Sequence, residues 1–318
     1  VMVHTVYNPG SEDRFKHVTE YQRQSLLYFS NDFPGVLFPF DQFTTFQGLK
    51  SGGMEFPMMA NNGDYSRWND TLDLLLTIEV TAHEIAHSYT PFQVLVNERK
   101  YTWMEEGWAT LFGERATSHI QEITGLNGRY SMEQMYGNRF YGTEGTQFSV
   151  PLMTPTITIK NRNTHFHISY YKAYYAYRVL DNLLGKETFK KALQIYFDRW
   201  KGKHPTPYDF FFTFNAVTDK NLNWFWKPWF FQFAYPDLAI EKIDNGKVTI
   251  VNKGNLPIPV KLMVVYEDNS MQIFEENTVV WKETSEIHIS TDLNKKIKSV
   301  SLVSSIVPDV NPVNDRMN

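Results

Sequence analysis

The chain has 318 residues, 42% of them hydrophobic, with a formal net charge of −4 and no cysteine. That length supports one large or two modest domains, and the charge leaves no basic surface to invite nucleic acid. Without cysteine there are no disulfides or thiolate zinc sites, so any metal must be held by His, Asp or Glu. No apolar run approaches the ~20 residues of a membrane span. The first residues, Val1-Met2-Val3-His4, lack the charged start and apolar stretch of a signal peptide. An opening residue other than Met suggests a processed chain or a piece of a longer one.

In chain order, the pattern predicts a helix over about Ser11 to Phe29, then a segment from Phe46 to Met59 that reads as an edge strand with its flanks. A second helix starts near the cap candidates Asp70 and Thr71 and runs to about Tyr89, where Pro91 ends it. A third covers roughly Trp103 to Ile120, and a fourth runs from Ser169 to Leu184 and stops at Gly185. Further helices are expected over 187–201 and 207–217. The aromatic runs Tyr208 to Phe214 and Trp224 to Phe231 read as core, the second with a peptide or glycan platform as the alternative.

Beyond Tyr235-Pro236-Asp237 the pattern switches to short alternating segments, at 247–251, 260–266 and 286–289, divided by turn signals such as Asp244-Asn245-Gly246. The fold class expected is therefore α+β. Residues 1–237 form a mainly helical domain with a small antiparallel sheet. Residues 238–318 form a β-sandwich domain, with an extended tail from Pro308.

His83-Glu84-Ile85-Ala86-His87 is the pattern H-E-x-x-H inside a predicted helix. Residues i and i+4 share a helix face, so both imidazoles can reach one ion. Glu84 stands beside them, placed to take a proton from water rather than to ligate. A catalytic zinc needs three protein ligands and one open position, so a third ligand must come from elsewhere. Glu106, separated from His87 by eighteen residues and at the opening of the next helix, is the candidate, with Glu105 as its rival. A metzincin-type site is excluded, because the third histidine it needs would stand where Gln93 is.

H-E-x-x-H, eighteen residues, then Glu in W-x-x-E-G resembles the M1 family of zinc aminopeptidases, a branch of the gluzincins. Gly52-Gly53-Met54-Glu55 is similar to that family's G-A/G-M-E-N segment. Tyr170-Tyr171-Lys172-Ala173 stands where the family has Y-E-K-G. The resemblance implies a thermolysin-like catalytic domain followed by the family's β-domain, without its N-terminal saddle or C-terminal helical domain. It implies one Zn²⁺ per chain on His83, His87 and Glu106, with Glu84 as catalytic base. Tyr170 would be the donor to the oxyanion, with Tyr171 as the alternative. Gly52, Gly53, Met54 and Glu55 would bind the substrate, the glutamate taking its free α-amino group.

The chain departs from the family at Phe56 for Asn, at Ala173 for Gly, and at Gly113, where the family often has a glutamate; Glu114 is one step off. The function expected is zinc-dependent removal of N-terminal residues from peptides by a monomer. Rival expectations are an endopeptidase, another zinc hydrolase, or a non-catalytic binding module. A bacterial periplasmic, cell-envelope or secreted location fits the resemblance. His165 and His167 are read either as structural or as lining the substrate cleft.

Overall fold

Phe43 and Thr45 are buried while their neighbours are not, the two-residue period of a half-buried strand. They lie in β2 (Gln42–Leu49), on which the first sheet is built, together with β1 (Met2–Val6), β3 (Glu55–Phe56) and β4 (Met59–Gly63). The computed structural model describes residues 1–49, 52–63, 70–126, 131–303 and 306–318. In it the strand order is β1-β2-β4-β3.

This sheet is mixed, which corrects the antiparallel one expected. β1 and β4 both run parallel to β2, and only β3 is antiparallel to its neighbour β4. The reason is the connection. Two helices, α1 (Glu12–Phe15) and α2 (Val18–Asn31), lie between β1 and β2, and a helical crossover returns the chain in the same direction. The expected single helix over 11–29 is thus split at Lys16-His17. The segment 46–59 holds the end of β2, the edge strand β3 and the first residue of β4; its residues 50–51 lie outside the described ones.

Helix α3 (Asp70–Ala86) ends three residues earlier than expected, its last turn tightening as Ser88 and Tyr89 donate to the carbonyls of Ile85 and Ala86. The side chains of its cap candidates lie outside what is described. A short 3₁₀ turn (Thr102–Met104) leads into α4 (Glu106–Thr124), which Gly125 ends in the left-handed conformation. Helix α5 (Met132–Tyr141) is an addition to the expected elements, and Ser131 and Gln134 form a capping box at its start.

The fourth helix begins earlier than expected. Asn161 caps α6 (Arg162–Phe166), a π-helical turn follows over His167–Lys172, and α7 (Ala173–Leu184) continues from it. Helices α8 (Lys186–Trp200), α9 (Pro207–Thr218) and α10 (Asn223–Trp226) follow, the last running into a second π-helical turn over Lys227–Phe231. Among the described residues no helix is long and apolar enough to cross a membrane.

Close approaches hold the helices in place. A Cβ at Gly107 would lie 2.5 Å from the Cβ of Ala173, so α4 and α7 pack almost backbone to backbone. Trp108 stacks on Tyr177 beside that contact, with ring centroids 3.6 Å apart. Phe210 sits among Trp103, Trp108, Tyr177, Tyr196, Phe214 and Trp226. The two aromatic runs are thus largely core, although Tyr208 and Phe212 are exposed.

After residue 237 two sheets follow. One orders β5 (Leu238–Asp244), β6 (Lys247–Asn252) and β9 (Glu286–Ser290). The other has the order β11-β10-β7-β8, from β7 (Val260–Tyr266), β8 (Met271–Glu276), β10 (Ile297–Leu302) and β11 (Arg316–Met317). Asn245 and Gly246 both have positive φ, which closes the β5–β6 hairpin in two residues. The end of the expected tail adds β11 to a sheet edge.

Candidate metal centre

The centre is built where the end of α3 meets the start of α4. His83 and His87 are i,i+4 and face the same way, and Glu106 is the first residue of α4. Carboxylates are favoured at a helix N-terminus, where unpaired N–H groups gather.

Three atoms converge. His83 Nε2 lies 3.0 Å from Glu106 Oε2 and 3.2 Å from His87 Nε2. His87 Nε2 lies 3.3 Å from Glu106 Oε2. A tetrahedral zinc with bonds of 2.0–2.1 Å separates its ligand atoms by about 3.3 Å. The triangle therefore has the size that a bound zinc requires, and two imidazoles with a carboxylate are a suitable donor set. His87 Nδ1 is 3.0 Å from the Thr90 carbonyl. A carbonyl only accepts, so Nδ1 carries the proton and Nε2 offers its lone pair to the centre. Glu105, the rival, is absent from this cluster.

Burial opposes charge on both histidines, but the Glu106 carboxylate outweighs it, raising His83 and holding His87 well above the ordinary imidazole value. Burial likewise opposes ionisation of Glu106, yet its hydrogen bonds to the two histidines hold it far below the usual carboxylate range. Protons and a cation thus compete for the same lone pairs.

Around this triad lies a cleft of about 480 Å³. Glu84 is buried, and burial pushes its carboxyl up to about 7. Ligand atoms of Glu55, Glu84 and His87 lie within 4.8 Å of one another, so the edge strand β3 and helix α3 present carboxylates to the same space. Gly53 is what allows this. A Cβ there would sit 2.0 Å from Glu84 Oε1. Met54 and Asn61 exchange both backbone hydrogen bonds, and Gly63 donates to the Gly52 carbonyl, which fixes the segment along β4. Tyr170 donates its hydroxyl to Glu106, and its ring stacks over His83 at 6.1 Å. Tyr171 lines the same cleft and rests against Tyr136.

Sequence reasoning missed Glu79 and Tyr136. Glu79 is one turn before His83, and its Oε1 lies 3.7 Å from His83 Nδ1 while accepting a 2.6 Å hydrogen bond from the Tyr136 hydroxyl. The i−4 spacing was a legible signal. Gly113 explains the choice: a Cβ there would lie 3.2 Å from His83 Cβ and 3.3 Å from Glu79 Oε1. The carboxylate beside His83 therefore comes from its own helix, and Glu114 bonds Ser118 instead. His167 is buried against Glu144, outside the cleft lining.

A larger cavity of about 650 Å³ lies elsewhere, between Leu184, Trp224 and Val279. It brings together no histidine and only one carboxylate, Glu283, so the smaller cleft is where metal chemistry can occur.

Comparison with known proteins bears on the family and the fold. The model of the peptidase family M1 domain matches residues 28–229, more than half of the chain. Leucine aminopeptidase 2 of Emericella nidulans is 28% identical over 201 residues, covering 56% of this chain and 30% of that protein. Aminopeptidase N of Haemophilus influenzae is 26% identical over 242 residues, covering 70% of this chain and 26% of that protein. Among solved structures, that of Legionella pneumophila aminopeptidase A in complex with aspartic acid superimposes with a TM-score of 0.68 at 17% identity. It covers 94% of this chain and 35% of that one, a likeness of fold. The chain spans less than a third of the length of either curated relative.

Proposed function

The chain belongs to peptidase family M1, and on that premise we propose that it is a zinc-dependent aminopeptidase. The observation that carries the reading is the triangle of His83, His87 and Glu106, with Glu84 and Glu55 opening on the same space. Zinc bound there supplies Lewis-acid activation of a water and of the scissile carbonyl.

The rest of the reaction falls to side chains of this chain. Glu55 receives the free α-ammonium group of the peptide, a carboxylate paired with a cation. Strand β3, at the sheet edge, lays the peptide along the cleft, and Gly53 leaves the room that Glu84 occupies. Glu84 takes the proton of the attacking water and passes it to the departing amine. Burial suits it to that exchange by raising its proton affinity toward neutrality, and a neighbouring cation pulls it back toward the ionised base. Tyr170 donates its hydroxyl to the carbonyl oxygen as negative charge develops there. Residues 1–237 would carry this site as the catalytic domain, and residues 238–318 would form the β-sandwich domain beside it.

Metal analysis and two variants test the reading. The purified chain should hold one zinc, and Glu84→Gln should keep it while turnover of alanine p-nitroanilide falls by about 10²–10⁴-fold. Glu55→Ala should reduce cleavage of free amino termini far more than of acetylated ones. Undiminished turnover after Glu84→Gln, or equal losses on both substrates after Glu55→Ala, would sink the mechanism or the anchoring respectively.

A further inference from the structure

Beneath the cleft lies a charged cluster that the reaction described so far does not use. Glu144 and Lys172 are both completely buried, with Lys172 Nζ 2.8 Å from Glu144 Oε1. The same ammonium reaches Ser149 Oγ at 3.2 Å and the Ala234 carbonyl at 3.4 Å, so each of its three protons has an acceptor. The other oxygen of Glu144 accepts from His167 Nε2 and from Ser149 Oγ. Glu144 itself stands in the turn after α5, where its backbone N–H donates to Phe140.

Such a pair is no gift to stability. Desolvating two charges consumes most of what their attraction returns, and an apolar replacement of equal volume is often as stable. What a buried hydrogen-bonded network does supply is a restricted geometry, and in this one each polar side-chain atom but His167 Nδ1 has a partner. Here that geometry concerns the π-helical turn over His167–Lys172, in which Tyr170 lies. His167 and Lys172 are five residues apart. On an α-helix they would point about 140° away from each other. On a turn that closes i to i+5 they are only about 50° apart. One carboxylate can therefore grip both ends of the turn only while it stays π-helical. Tyr170 leaves the opposite side of the turn, toward Glu106.

We propose that the buried Glu144–His167–Lys172 cluster is a positioning device, which locks the π-helical turn and thereby aims the Tyr170 hydroxyl at the metal triad. The inference rests on the role given above to Tyr170. Without the clamp the turn relaxes to i,i+4 bonding, and the tyrosine rotates away from Glu106.

A double-mutant cycle tests it, with alanine p-nitroanilide as substrate and zinc content measured for every variant. Tyr170→Phe should lower kcat by about 10²–10³-fold, the scale for one lost oxyanion donor. Lys172→Met should lower kcat by tenfold or more with KM little changed, and should cost nothing further when combined with Tyr170→Phe. Should Lys172→Met fail to fold, Glu144→Leu with Lys172→Met removes both charges and takes its place. Crystal structures of the metal-free variants give a readout apart from activity: the turn should become α-helical and the Tyr170–Glu106 hydrogen bond should be lost. Additive kcat losses, or an unchanged π-turn with Tyr170 still on Glu106, would overturn the proposal. A Tyr170→Phe variant with full activity would overturn it too, and would locate the failure in the role of the tyrosine rather than in the clamp.

Discussion

Glu144 offers a quantitative test of the buried cluster through acid stability. Burial works to raise its carboxyl, but the Lys172 charge and the His167 hydrogen bond win, and together they lower it from 4.5 to about 2. A carboxylate depressed in the folded state contributes stability that is present above its unfolded value, near 4.5. That contribution is lost as pH falls through the folded value, near 2. The whole shift corresponds to about 3 kcal/mol at 1.36 kcal/mol per unit. Integrated only as far as pH 3, the loss is about 2 kcal/mol. The comparison protein is the pair Glu144→Gln with Lys172→Met, which removes the titration without leaving a lone buried charge. Urea unfolding followed by tryptophan fluorescence, on protein freed of metal by chelation, gives both stabilities at pH 7 and pH 3. The wild type should lose about 2 kcal/mol more than the double variant over that interval. A gap constant to within about 0.5 kcal/mol would show that Glu144 is not an ionised partner of Lys172, and the ion pair as drawn would be wrong.

Three other outcomes follow from the geometry. Gly53→Ala should bring a methyl into the place of the Glu84 carboxylate, so zinc content should stay at one per chain while kcat falls by about 10²-fold or more, the scale for a misplaced general base. Glu79→Ala removes the carboxylate beside His83 Nδ1 and should weaken zinc affinity about 10–100-fold in a chelator competition; unchanged affinity would mean that this carboxylate does not orient the ligand. Phe210→Ala empties the centre of the aromatic core and should cost about 3–5 kcal/mol in denaturant unfolding, with metal affinity of the folded protein unaltered.

Local spacing carried the first part of the site. His83, Glu84 and His87 are within one helical turn and a half, and helix periodicity alone sets their relative directions. The Glu79 position was open to the same reasoning, because it too is one turn from His83. Its significance was not, since that depends on Gly113 and Tyr136, which belong to other helices. The fold class and the switch from helices to short strands near residue 237 were legible as changes of hydrophobic period. The parallel pairing of β1 with β2 was not, because strand direction follows from the path of the intervening helices.

Gly53 separates the two kinds of knowledge. The sequence marks it as a glycine two residues before a glutamate, in a segment similar to one that binds peptide amino termini. Only the folded chain shows that the glycine also leaves the volume that Glu84 fills, 31 positions later. The π-turn that carries Tyr170 is the extreme case. Its residues would suit an ordinary α-helix. What separates the two forms is a carboxylate 23 residues before His167 and 28 before Lys172, which reaches both only after α5 has packed beneath the turn. Sequence alone determined which groups could do the chemistry, since reactivity and helical spacing are local properties. Tertiary structure decided where they point, because the clamp, the cleared space and the strand edge are each made by residues that meet only when the chain has folded.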